Sequence, residues 1–187
     1  GSLWAFWSQR DGVSWDIWGR QKKDGVWLAA LKVSGEGTNT FHRAAASANG
    51  DIFVVWQSFR VRNGIARSDI HMKRLSGGTW SEEIRVSESP ANDWEPAVAG
   101  GPNGSAFIGW DSYDKGNYDI YFRAFENGKL GPVREVTSSA RFQAHASVAV
   151  DPQGRPWIAW DESGANWGKD QGFLINPRMS APLHQAR

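Results

Sequence analysis

The chain has 187 residues, a net charge of +1 with acidic and basic residues interspersed, and no cysteine. That length gives one domain with room for a sizeable core. The charge balance argues against a nucleic-acid or membrane surface as partner, the missing cysteines exclude a disulfide framework or thiolate metal site, and no apolar run nears the roughly 18 residues of a membrane-spanning helix.

In chain order, residues 3–33 predict three strands. Phe6 and Trp7 form an apolar strand, the polar run 8–13 turns the chain, a second strand ends at Arg20, and a third segment covers 26–33. Residues 34–40, rich in glycine, read as a loop. Residues 43–47 form a strand of small side chains, Ala48-Asn49-Gly50 a turn, and Val54-Val55-Trp56 the next strand. A longer loop is predicted over 58–68, followed by a strand and a fourth segment at 79–86. After a polar link at 87–93, the same order returns in its cleanest form. Small residues at 96–99 precede a turn at 101–104 and the apolar run Phe107, Ile108, Trp110. A turn rich in Asp, Gly and Asn covers 111–117. Tyr118, Ile120 and Phe122 then alternate with polar or amphipathic neighbours, the period of a strand with one buried face. Residues 130–136 close the unit. A link at 137–143, a strand at 146–150, a turn at 151–154 and the run Ile158-Ala159-Trp160 begin the order once more. From Ser163 the pattern weakens, with Phe173-Leu-Ile as a third strand and 176–187 as a tail.

Trp7, Trp56, Trp110 and Trp160 recur about every fifty residues, at the upper end of the period of solenoids, propellers and arrays. Short strands separated by turn signals favour a propeller of four-stranded antiparallel blades. The predicted fold is therefore all-β, an incomplete or small propeller ring, in one domain. Its parts are a partial blade at 1–33, blades at 34–86 and 87–136, a partial blade at 137–175, and the tail. Most of the twelve tryptophans fall on strand positions and read as packing between blades.

The runs FIGWDSYDKGNYDIYFR and AFWSQRDGVSWDIWGR resemble the TolB-type propeller repeat, which sets an apolar strand before an Asp-Gly loop and an Asp-Ile-Tyr strand. The upstream turns Pro102-Asn103-Gly104 and Asp151-Pro152-Gln153-Gly154 are similar to the family's Pro-Asp-Gly. The resemblance covers most of residues 3–170. It implies a propeller and leaves function open, because such propellers serve as binding platforms, peptidase gates and scaffolds. The second and fourth repeats depart from the pattern, and the Asp box of sialidase propellers is missing. The run NWGKDQGFLINPR is similar to the end of propeller segments in larger bacterial proteins carrying a metal-dependent hydrolase of the PHP kind.

An open arc of blades exposes sheet edges, so the chain is expected to be a fragment of a longer propeller or to associate with a second copy, with a closed four-bladed monomer as the alternative. The absence of cysteine fits an exported bacterial protein, periplasmic or extracellular. The sequence shows no signal peptide, and Gly1-Ser2 reads as a cloning remnant, so the natural N-terminus is expected to be missing.

In a four-stranded meander, the second-to-third loops and the links between blades share one end. That end collects most of the charge, and loops on a rigid scaffold tend to carry function. The candidate ligand-binding residues there are Trp94, Glu95, Asp111, Tyr113, Asp114, His145, Asp161 and Glu162. Trp94, Tyr113 and Trp167, with nearby acids and amides, would stack on sugar rings. Counted back from the anchor tryptophans, His42, Glu95 and His145 fall within one residue of a common position and are expected to meet, so a divalent metal is an alternative cofactor to none. The repeated Asp16, Asp69 and Asp119 read as structural, hydrogen-bonding backbone or a neighbouring cation. The loop 111–119 reads as turn chemistry rather than a calcium loop.

No nucleophile elbow, HExxH or phosphate loop is present. The leading expectation is a non-catalytic binding or scaffold module for a protein segment or glycan. The alternatives are the propeller part of a hydrolase or glycosidase-like enzyme, and a self-assembly unit forming a homo-oligomer.

Overall fold

A computed structural model describes residues 3–164. These residues form an all-β protein of four antiparallel sheets with a single 3-10 turn. The first sheet holds β1 (Leu3–Asp11), β2 (Ser14–Lys23), β3 (Val26–Trp27) and β4 (Leu31–Lys32). The second holds β5 (Thr38–Ala46), β6 (Ile52–Arg62), β7 (Ile65–Ser76), β8 (Thr79–Trp80) and β9 (Ile84–Arg85). The third holds β10 (Asp93–Gly100), β11 (Ala106–Ser112), β12 (Asp119–Glu126), β13 (Lys129–Leu130) and β14 (Arg134–Glu135). The fourth pairs β15 (Phe142–Val150) with β16 (Pro156–Ser163). The suggested strand at Phe173, the tail and Trp167 lie outside the described residues.

Register makes the repeat physical. Trp7 pairs with Trp18, Trp56 with His71 and Trp110 with Tyr121 across the hairpins β1–β2, β6–β7 and β11–β12. On the other side, Trp56, Trp110 and Trp160 each oppose a two-residue β-bulge, at 41–42, 95–96 and 145–146. Trp56 and Trp110 are fully buried and each donates its indole N–H to the side chain two residues before the bulge, Asn39 at 3.0 Å and Asp93 at 3.3 Å. Trp160 is 40% exposed and Trp157 61%, so the packing expectation for tryptophan fails in the fourth sheet.

Each predicted fourth strand is broken into two short pieces. The first piece hydrogen-bonds the far end of the third strand. The second returns to it lower down, where Val33, Val86 and Val136 donate to the carbonyls of Ile17, Ile70 and Ile120. Ser34, Ser87 and Thr137 then turn their hydroxyls onto the backbone N–H of the same three isoleucines, at 2.8–3.0 Å. The repeated aspartates join this clamp. Asp16 pairs with Lys32 at 2.7 Å, Asp69 with Arg85 at 2.7 Å, and Asp119 accepts from Thr137 at 3.2 Å.

The segment 58–68 is not the loop that its polar residues imply. It extends β6 and β7 into a hairpin arm closed by Asn63-Gly64, both with positive φ, a pair suited to a two-residue hairpin turn. Alternation in Phe59-Arg60-Val61 carries the strand onward.

Sheets pack in sequence. Ile17, Val33, Val54 and Trp56 form the core between the first two sheets. Phe53, Val55, Ile70, Met72, Ile108 and Trp110 anchor the larger core between the second and third. The ends of β5 and β10 converge until Ala48 donates to the Gly101 carbonyl at 3.0 Å, and Gly154 comes close to Pro102. At this end the turns are short and touch; the longer connections lie at the opposite end of every sheet.

Candidate functional site

The opposite end is shaped by the bulges. Their first residues are Phe41, Glu95 and His145, all with positive φ and none of them glycine. A left-handed backbone at the same register in three sheets costs each residue about 1 kcal/mol and re-aims its side chain out of the strand alternation. The register corrects the sequence alignment: Phe41, not His42, is the counterpart of Glu95 and His145. His42 is the second bulge residue, and its Nδ1 lies 3.1 Å from Ser8 Oγ of the first sheet. Burial is the main influence lowering its pKa, helped by Arg43 and opposed by a backbone hydrogen bond with Phe6.

Two of the three proposed metal ligands do meet. His145 Nε2 lies 3.6 Å from Glu95 Oε2, and its Nδ1 lies 3.0 Å from Asp161 Oδ2. The ring bridges two carboxylates from different sheets. A neutral imidazole carries one N–H and serves one of them; a doubly protonated ring serves both. Among the described residues, no group of three or more His, Cys, Asp or Glu has an arrangement that would hold a metal ion. Glu95 is held from below by its backbone N–H, which donates to Gln57 Oε1 at 3.2 Å. Asp161 is exposed at the end of β16, and its side chain is 74% accessible. Glu162 is tied down, accepting from Gln143 at 3.0 Å and pairing with Arg141 at 3.0 Å.

Aromatic side chains border the acids. Tyr113 tilts over Tyr118, with centroids 5.0 Å apart, and Tyr118 tilts over Phe142 at 4.7 Å. Trp94 and Tyr113, both half-buried, pack against the cluster of Tyr118, Phe142 and Ala144. Asp114 is exposed in the loop beside Tyr113, while Lys115 is drawn to Glu135 at 2.6 Å. Asp111 departs from expectation: it lies in β11 and is fully buried, so it is not an accessible loop acid. Trp94, Glu95, Tyr113, His145 and Asp161 thus share one end of two neighbouring sheets, with Asp114 on the adjoining loop.

A second charged cluster supports the arm. Glu83 pairs with Arg60, accepts from the Gly35 N–H at 2.8 Å, and has His71 Nδ1 at 2.8 Å. Burial on its own would raise the Glu83 carboxyl; His71 and Arg60 outweigh it and bring it down to about 2. A depressed carboxylate contributes stability above its unfolded value of 4.5, and that contribution is lost as pH falls toward 2. Glu83→Gln is therefore expected to cost about 2 kcal/mol at pH 7 and far less at pH 3, measured by urea unfolding. An equal cost at both pH values would refute the charge-based account.

Sequence reasoning missed Phe59, Val61 and Gln57 as elements of this surface. The period-two run before Asn63-Gly64 carried the signal.

No family model matches the sequence, and no curated protein matches it. Among solved structures, the chain is similar to a protein from Dyadobacter fermentans DSM 18053 described as of unknown function. The TM-score is 0.58 at 13% identity, over 80% of this chain and 52% of that one. The likeness concerns the fold alone, and this chain spans about half the length of that protein.

Proposed function

We propose that the four sheets are blades of an open propeller arc of TolB-like repeats, and that the chain is a non-catalytic recognition module. Its ligand is a protein segment that places a cation against Glu95, His145 and Asp161. The single observation that carries this reading is that imidazole between two carboxylates, 3.0 Å from one and 3.6 Å from the other, flanked by half-buried aromatics. Carboxylates attract a guanidinium or ammonium, and an adjacent aromatic face adds a cation–π contribution of about 0.5–1 kcal/mol at a partly exposed site. The turn-rich end opposite supplies the rigid base that a recognition surface needs.

The test is fluorescence anisotropy with a short labelled arginine-rich peptide. Asp161→Lys is expected to weaken binding at least about tenfold, because it replaces attraction by repulsion at an exposed position without burying a charge. Peptide binding that is unchanged in Asp161→Lys and in Glu95→Gln would overturn the proposal. Trp94 and Tyr113 favour a second reading, a glycan stacked on aromatic faces. It expects oligosaccharide binding that falls with Tyr113→Ala.

A further inference from the structure

We infer that the β6–β7 arm is the second half of this recognition site, and that it selects segments carrying a cation and two aliphatic residues at alternate positions. The inference rests on the proposed cation subsite and names the chemistry of its ligand further.

The arm leaves the body of the second sheet with its apolar residues uncovered. Phe59 is 44% exposed and Val61 68%. Surface apolar groups gathered on a projecting, polar-rimmed element mark interaction sites more often than scattered ones do. The face they occupy is settled by register. Phe53 and Val55 of β6 lie in the core between the second and third sheets, and side chains alternate along a strand, so Gln57, Phe59 and Val61 continue that same face outward. Ile70, Ser68 and Ala66 are the cross-strand partners of Gln57, Phe59 and Val61, and Thr38 of β5 flanks Phe59 on its other edge, so the arm runs clear of β5 beyond Phe59. This side of the arm carries no charge. Arg60 and Arg67 pair across the strands on the other face, where Val54 and Trp56 pack toward the first sheet and Glu83 pairs with Arg60.

Gln57 links this row to the cation subsite, since its side-chain oxygen accepts from the Glu95 N–H at 3.2 Å. Gln57, Phe59 and Val61 therefore form a line that starts at Glu95 and runs out along the arm. The line spans roughly 13 Å, four residues at about 3.3 Å each. An extended ligand has the same rise, so its alternate side chains match this spacing: the cation at Glu95 and Asp161, the next same-side residues against Phe59 and Val61. Charge complementarity sets the first position and an uncharged apolar face sets the other two. A protein segment meets both conditions.

The experiment uses the chain with two labelled peptides, Arg-Ser-Val-Ser-Val and Arg-Ser-Ser-Ser-Ser, each also in reversed order, compared by anisotropy. In one of the two directions the valine peptide is expected to bind about tenfold or more tighter than its serine counterpart, the gain from burying two valines partially. Val61→Ser combined with Phe59→Ser should reduce the valine peptide to the affinity of the serine peptide and leave the serine peptide unchanged. Asp161→Asn should weaken both. These exposed positions are replaced without opening the core, and circular dichroism checks that the variants fold.

No gain from valine in either direction overturns the inference while leaving the cation subsite standing. So does a gain that survives the arm substitutions. Failure of every peptide to bind overturns the cation subsite itself. A dimer in native mass spectrometry that Val61→Ser dissociates also overturns it, because the arm would then cover a second copy of the chain.

Discussion

Asp93→Asn is expected to stabilise the protein at neutral pH and to flatten its pH dependence between about pH 4 and pH 6. Asp93 is fully buried in β10. Burial raises its carboxyl to about 6, with Asp69 adding to the rise and hydrogen bonds from Ser112, Ser87 and Ser89 opposing it. The folded protein thus keeps the Asp93 proton at pH values where the unfolded chain, at 3.8, has released it. More protons bound in the folded state means that stability falls as pH rises through this window and stays lower above it. The two pKa values are separated by an amount worth on the order of 3 kcal/mol. Asparagine removes the titration. The second sheet already holds the substitution: Asn39 occupies the equivalent register and accepts the indole N–H of Trp56, as Asp93 accepts that of Trp110. A gain of about 2 kcal/mol at pH 7 is expected from urea unfolding, with none at pH 4. A variant that retains the wild-type slope between pH 4 and 6, or is less stable than wild type at pH 7, would sink this account. Glu83 has the opposite sign, so the two groups together place the most stable range near pH 4–5.

Gly100→Ala should be among the most damaging single-methyl changes in the chain. A Cβ at Gly100 would lie 2.0 Å from the Ala46 carbonyl oxygen, 2.4 Å from its carbon and 2.6 Å from the Ser47 nitrogen. All three atoms are backbone, so no side chain can swing aside. Relief requires β5 and β10 to separate, which breaks the Ala48–Gly101 hydrogen bond and opens the end where consecutive sheets meet. The cost is expected at about 3 kcal/mol, the upper part of the usual range for overpacking. Gly131→Ala is the matched control. Its Cβ meets nothing nearer than 3.6 Å and its φ is not positive, so the change should stay within about 0.5 kcal/mol. Thermal melts of both variants decide the matter. Equal effects would mean that the sheets do not meet at Gly100 as described.

The strand repeat, its fifty-residue spacing and the structural duty of Asp16, Asp69 and Asp119 were legible in the sequence. Each depends on local alternation and on turn chemistry, which neighbouring residues dictate. The arm was misread because charged residues at 60, 62 and 67 obscured a strand that its alternation and Asn63-Gly64 had encoded.

What the sequence determined by itself is the set of antiparallel hairpins and the placing of Trp7, Trp56, Trp110 and Trp160 at one register. What only the tertiary structure decided is which side chains meet. The bulges insert one extra residue before each first strand resumes, and a single-residue offset moves a side chain to the other face. The register put Phe41 where His42 was expected and Asp111 inside β11 rather than in the loop, and the packing of the third sheet against the fourth brought Glu95 to His145 and Asp161. Contacts across sheets depend on how strands fifty residues apart pack, and no local pattern encodes that distance.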